Sequence, residues 1–329
     1  METTAWRTGL TALVACTCGL AACTGPSADS TDGPLVIATT SIIGDVVSSI
    51  VGDAARVEVL IPAGSDPHSF EPSAREIASL REASVIVAIG SGLEAGLASP
   101  LISAADDGTP VVELIDVVQP LLIGTGDHDH DDNDEHGELD EHQPDDGHEH
   151  GDEDPHFWHD PLRMADVIPA LVDAIVEAEP TLDTTELSSR AAALVEELRA
   201  LDAEIVETLA AVPSEHRFLV TNHDTFGYFA ARYDFEVIGA VIPGGDTLAE
   251  TNPADLSHLI DEVEAHGLPA IFSESSGSAA LSNTLVDGVD HPVEVVELFT
   301  DSLGPPGSGA DTYVGMLRTN AERVAEALA

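Results

Sequence analysis

The 329-residue chain contains no lysine: its 11 basic residues are all arginine, against 61 acids, for a formal net charge of −50. A chain without a basic face cannot neutralise phosphates, which excludes nucleic acid as a partner. Cysteine is nearly as scarce. Of the 3 cysteines, Cys16 and Cys18 lie inside an apolar N-terminal stretch and only Cys23 lies beyond it, so once that stretch is cleaved no intramolecular disulfide can form. The G-x-S-x-G nucleophile elbow and the H-E-x-x-H helix are both missing, which removes the two commonest hydrolase signatures. Hydrophobic residues make up 43% of the chain and mean hydropathy is +0.08. These values fit a globular protein large enough for two domains with full cores.

Histidine is abundant, and it is clustered. Between Asp127 and Asp154 the chain reads DHDHDDNDEHGELDEHQPDDGHEHGDED, which sets His128, His130, His136, His142, His148 and His150 among carboxylates with almost nothing apolar. Such a segment cannot bury enough surface to fold, so its imidazoles stay accessible, and imidazole with carboxylate is the donor set of borderline divalent cations. A solvated acidic spacer accounts for the acids and leaves the histidines unexplained. The six histidines are therefore expected to be weak secondary metal sites.

The N-terminus has the layout of an export signal. Arg7 precedes the apolar run GLTALVACTCGLAA, which is too short to span a bilayer as a mature helix. Leu20-Ala21-Ala22-Cys23 resembles the bacterial lipobox. The expectation is a lipoprotein signal over residues 1–22, lipid on Cys23 and a flexible tether over 23–33, placing the mature chain outside the cytoplasm and anchored to the cell membrane.

From Leu35 onward, short β-rich runs alternate with amphipathic stretches, the pattern of an α/β fold with parallel strands joined by helices. Strand candidates are 35–40, 55–61, 84–90 and 110–118 in the first half, and 217–222, 235–242, 270–275 and 293–298 in the second. Four strands on each side predict two similar lobes with parallel four-stranded sheets, over 34–160 and 213–329. The intervening 161–212 segment is helical throughout, broken near Glu179-Pro180. Its second part places Leu187, Leu194, Leu198, Leu201, Ile205 and Leu209 on one face of a helix about 40 Å long, read as a rigid spine between the lobes.

Four residues on loops or helix starts stand out once the strands are placed: His68 in SDPHSFEPS, His159 in HFWHDP, His223 in TNHDTFGYF and Asp311 in GADTY. Ligands of open parallel sheets gather beyond the carboxyl ends of strands, and His223 directly follows one. Their wide separation means that only the fold can assemble a site from them.

These motifs, in this order and spanning the mature chain, resemble the solute-binding lipoproteins of zinc and manganese ABC importers. The resemblance implies a four-coordinate pocket between two α/β lobes, backed by one long helix, with His68, His159 and His223 as nitrogen ligands and Asp311 as the carboxylate. His156 could replace His159, but the family pattern sets the metal on the histidine before Asp160-Pro161. Manganese-type relatives carry glutamate at the position of His223, so three imidazoles and a carboxylate favour Zn²⁺ over the runner-up Mn²⁺. Glu274, at a strand end, is a candidate to orient a ligating imidazole. Asp224 reads equally as a helix cap or a metal contact, Phe157 and Trp158 as packing around the pocket, and His216, His258, His266 and His291 as surface groups. The implied partners are a membrane permease and its cytoplasmic ATPase, served by a monomeric, non-catalytic zinc-binding protein. A surface zinc buffer or adhesin and a secreted zinc hydrolase are the rival readings.

Overall fold

The computed structural model describes residues 33–123, 153–242, 244–249, 251–277 and 280–329. The signal and lipobox and all six histidines of the acidic run therefore lie outside the described residues. Residues 33–329 form one compact unit.

All eight predicted strands are present. In the first lobe, β1 (Leu35–Ala38), β2 (Arg56–Val59), β3 (Val85–Ala88) and β4 (Val111–Glu113) make a parallel sheet in the order β2-β1-β3-β4. The central strands β1 and β3 read LVIA and VIVA and are buried throughout. Strand side chains alternate between faces, so these strands feed two cores. Val36, Ala38, Val85 and Val87 join one apolar cluster, while Leu35, Ile37, Ile86 and Ala88 join another with Leu80 and Leu101. Helix α1 (Ser41–Val51) covers the first face, and α2 (Ala74–Leu80) and α3 (Ala98–Asp106) supply the second.

The helical segment consists of α4 (Pro161–Ala178) and α5 (Thr184–Leu209). Asp160 caps α4 by accepting from the Leu162 N–H, with Pro161 in the first turn, and Asp183 caps α5 by accepting from the Thr185 and Glu186 N–H groups. All six apolar residues predicted for one face of α5 are buried. With 26 residues, α5 runs about 39 Å.

In the second lobe, β5 (Phe218–Thr221), α6 (Gly227–Tyr233), β6 (Glu236–Ala240), α7 (Pro253–His266), β7 (Ala270–Glu274), α8 (Ala280–Asp287) and β8 (Glu294–Leu298) precede the closing α9 (Tyr313–Leu328). Its strands pair in parallel as two ladders, β5 with β6 and β7 with β8. This differs from the single four-stranded sheet expected. β5 lies beside β7 without joining it in a ladder, and the β5–β6 ladder itself shifts register between Leu219 and Val220, where Ile238 of β6 is left unpaired as in a bulge.

One apolar cluster runs through both lobes. It takes the inner faces of the sheets together with α4, α5 and α9, while a separate cluster under α7 and α8 fills the outer face of the second lobe. Helix α5 packs on α1 of the first lobe and on α9 of the second. Arg232 of α6 grips Asp202 of α5, with Nε 2.9 Å from Oδ1 and a second bond from Nη2 to Oδ2, a planar pairing that fixes orientation as well as distance. The long helix thus belongs to a core shared by the two lobes.

Candidate metal centre

Four buried side chains from both lobes converge: His68, His156, His223 and Asp301, each offering one donor atom, with all donors within 4.8 Å of one another. His68 lies on the loop beyond β2, and its backbone N–H donates to Asp66 Oδ1 at 2.9 Å. His156 precedes a single 3-10 turn, Phe157–His159. His223 stands two residues past the end of β5 and Asp301 three past the end of β8, both beyond the carboxyl ends of strands, where open α/β sheets collect ligands. A segment of the second lobe passes close to His156 at Gly245. A Cβ on Gly245 would stand 2.8 Å from Ile123 Cδ1 and 3.8 Å from His156 Cε1, and Gly244 beside it adopts φ +88°.

The rings are held so that their Nε2 atoms face inward. Asp154 Oδ1 accepts from His156 Nδ1 at 2.7 Å and from the His156 backbone N–H at 2.9 Å. Glu274 Oε1 is paired with His223 Nδ1 and accepts from the His223 backbone N–H. A carboxylate on Nδ1 fixes both tautomer and ring orientation, as ligating histidines require. His223 Nε2 lies 3.3 Å from His156 Nε2 and 3.6 Å from Asp301 Oδ2. Asp301 Oδ1 lies 3.7 Å from His156 Nε2, and Asp301 Oδ2 lies 3.9 Å from His68 Nε2. Donors arranged tetrahedrally at zinc-like bond lengths stand about 3.3–3.6 Å apart, so these four separations, 3.3–3.9 Å, lie in or near that range, while the group as a whole, spread over 4.8 Å, would contract around such an ion.

Unmet polar atoms point the same way. Both Asp301 oxygens, His68 Nε2 and Glu274 Oε2 are buried without a hydrogen-bond partner, a costly state that a cation relieves. Burial, reinforced by the charge of His223, lowers the pKa of His68 to about 4. Burial likewise lowers His156 well below the usual imidazole value, so both are neutral and ready to ligate near pH 7. His223 behaves in the opposite way. Burial alone would lower it, but Asp301 and Glu274 outweigh burial and push it up to about 9. Burial also raises Asp301 to about 8, opposed by His223. Together the pair retains at least one proton at neutral pH.

Two sequence assignments need correction on this geometry. His159 is fully buried but turned away: its ring stacks on Phe226 at 4.5 Å and its Nε2 is 3.4 Å from Thr225 Oγ1. The chain enters the 3-10 turn only after His156, so His156 keeps the inward direction while His159, at the turn's end, packs beneath α6. Asp311 is exposed, accepts from the Gly307 N–H at 3.0 Å and directly precedes Thr312, the cap of α9. It lies too far down the loop from β8 to reach the cage, whereas Asp301 leaves that strand directly into it. Asp301 and Asp154 were both missed. The strand-end rule already applied to His223 would have pointed to Asp301, and the Asp-x-His spacing to Asp154.

The remaining candidates lie elsewhere. Trp158 Nε1 donates to the Thr300 carbonyl at 2.8 Å and Tyr313 Oη to the Trp158 carbonyl at 2.6 Å, which ties the His156 turn to the Asp301 loop. Phe157 is fully buried in the shared core. Asp224 neither caps α6, whose start has no side-chain cap, nor belongs to the group of four. His216 and His291 bond to the Leu328 and Leu268 carbonyls, and His258 and His266 flank Glu262. The described ends of the acidic run meet beside the cage. Leu122 and Glu153 form an antiparallel bridge, and Tyr228 Oη takes the Leu121 N–H and donates to the Asp154 carbonyl.

Two α/β lobes on a shared helical core, with a buried cage of three imidazoles and one carboxylate between them, define a metal-binding solute receptor. The family model described as "Zinc-uptake complex component A periplasmic" matches residues 36–327, and the chain belongs to that family of substrate-binding components of metal ABC importers, which are not enzymes. It is 30% identical over 302 residues, 90% of this chain and 89% of the relative, to the zinc-binding protein TroA of Treponema pallidum. It is 28% identical over 313 residues, 94% of this chain and 93% of the relative, to the manganese-binding lipoprotein MntA of Halalkalibacterium halodurans. The solved structure of the periplasmic zinc-binding protein TroA superposes with a TM-score of 0.78 at 29% identity, covering 90% of this chain and 99% of that one.

Proposed function

We propose that the chain captures Zn²⁺ in the pocket of His68, His156, His223 and Asp301 and delivers it, from a lipid anchor on Cys23, to a membrane permease driven by a cytoplasmic ATPase. The observation that carries this reading is the donor set itself. Imidazole suits zinc better than manganese, which prefers oxygen, and the spacing of the four donors fits a closed tetrahedral site with no open position for an activated water. The names of the relatives include both metals, so manganese is the rival cargo. Its support here is the pair of unpartnered oxygens on Asp301, which could raise the coordination number by binding through both.

Metal competition on the purified mature chain tests the choice. Zinc should be held with a dissociation constant of nanomolar or below, about 12 kcal/mol of binding energy, and should displace manganese from an equimolar mixture. Tighter binding of Mn²⁺ than of Zn²⁺ would overturn the assignment. In cells, deletion of the gene should abolish uptake of radioactive zinc from zinc-poor medium, and Cys23→Ala should shift the chain from the membrane fraction to the soluble one. Uptake that survives deletion would instead favour a surface zinc buffer.

A further inference from the structure

The sequence Asp-Pro-His occurs at 66–68 and again at 154–156, and each copy supplies one imidazole of the cage. The two copies share a backbone bond: the aspartate Oδ1 accepts from the histidine N–H two residues on, at 2.9 Å in both. They differ in how the ring is held. Asp154 also takes Nδ1 of His156, at 2.7 Å, so that ring is fixed from within its own motif. Asp66 is engaged otherwise: its Oδ2 accepts from the Ser69 hydroxyl at 2.9 Å and, across from the second lobe, from the Thr247 hydroxyl at 2.8 Å. His68 Nδ1 instead faces Oδ1 of Asp246, the residue before Thr247, at 4.0 Å.

Both of these neighbours belong to one short stretch of the second lobe that runs beside the cage. The Gly244 carbonyl accepts from the N–H of Asp224, next to His223, at 3.0 Å, and Gly245 passes close to His156. The Leu248 N–H donates to Asp246 Oδ1 at 2.8 Å and so orients that carboxylate. Ligating imidazoles use their other ring nitrogen to hold a carboxylate, a carbonyl or a water, which fixes the direction of the ring. His156 and His223 have such carboxylates from their own lobes, in Asp154 and Glu274. For His68 the carboxylate comes from the opposite lobe and stands, at 4.0 Å, about 1 Å beyond hydrogen-bond length. An approach of the two segments by that amount completes the bond.

We propose that Asp246 and Thr247 are positioning residues for His68, Asp246 through the ring Nδ1 and Thr247 through Asp66, so that the second lobe holds this ligand of the first lobe on the metal. The inference rests on the reading that His68, with His156, His223 and Asp301, forms the cargo site. Such a hold acts on the bound ion rather than on its arrival, so it shows in the rate of release.

Release of zinc from the purified mature chain into excess chelator tests it, followed by the fluorescence of Trp158, whose ring centroid lies 5.2 Å from that of His156. Asp246→Ala and Thr247→Val should each speed release about tenfold, with association within about threefold of the parent. Asp246 is 59% exposed, so its replacement leaves folding intact, and Thr247→Ser, which keeps the hydroxyl, should release zinc at the parental rate. Both substitutions are then repeated in a His68→Ala background. Groups that act through His68 have nothing left to position there, so the dissociation constant, about tenfold weaker in the first pair, should move less than about twofold in the second. Lost charge or lost packing would instead cost the same factor in both backgrounds. Parental release in Asp246→Ala and Thr247→Val, or equal losses with and without His68, would overturn the proposal. Parental affinity in His68→Ala itself would remove the cargo-site reading along with it.

Discussion

Replacing His156 and, separately, His159 by alanine tests the central geometric claim, because the two lie three residues apart and both are fully buried. If about 12 kcal/mol of zinc binding is shared by four ligands, loss of one costs about 3 kcal/mol, or more than a hundredfold in affinity. His156→Ala also leaves Asp154, now bonded to both the ring and the backbone N–H of His156, with a buried carboxylate and only the backbone donor, which adds to the loss. His159→Ala removes a ring stacked on Phe226 and should instead cost about 2–4 kcal/mol of folding stability as a core truncation, with zinc affinity within about threefold of the parent. The assay is zinc titration against a nanomolar chelator, which leaves weak sites in the acidic run empty, with thermal unfolding in parallel. A hundredfold loss in His159→Ala together with parental affinity in His156→Ala would refute the placement of the cage.

The same logic applies to the carboxylates: Asp301→Asn should weaken zinc binding by two orders of magnitude or more, while the exposed Asp311→Asn should leave it unchanged, as read by chelator competition. Glu274→Gln keeps a hydrogen bond to His223 but removes the charge that orients it, and should cost 10–100-fold in affinity; parental affinity would assign Glu274 to packing. Because Asp301 and Glu274 hold the pKa of His223 near 9 and burial holds Asp301 near 8, zinc must displace at least one proton, since ligation needs neutral imidazole and ionised carboxylate. Affinity should therefore fall about tenfold or more per pH unit from pH 8 to pH 6, with calorimetry in buffers of different ionisation enthalpy reporting the released proton; binding independent of pH over that range would contradict the proton-holding pair. Deleting residues 127–150 should remove additional zinc bound with micromolar affinity and leave the tight site intact, and loss of the tight site would place a ligand within that run.

Local patterning carried most of the architecture. Short runs such as Leu35–Ala38 and Ala270–Glu274, buried at every residue, declare strands by their length and their β-branched and aromatic content, and the leucine spacing of Thr184–Leu209 declares a helix because only one stripe can be buried. His68 and His223, which the fold brings into the buried group of four, could be singled out because their flanking motifs and loop positions are local features. The choices between His156 and His159, and between Asp301 and Asp311, were not. Both members of each pair are the right residue type close together in sequence, and what separates them is direction: where a 3-10 turn begins, how far a loop has travelled from the end of β8, and which carboxylate is waiting to hold a ring. The split of the second lobe into two ladders belongs to the same class, whereas Glu274 was legible as a strand-end carboxylate able to orient an imidazole, and only its partner, His223, 51 residues away, was not. Residue type and periodicity are properties of short segments, whereas a metal cage is a set of distances between segments far apart in the chain, and those distances exist only after the two lobes have closed on their shared core.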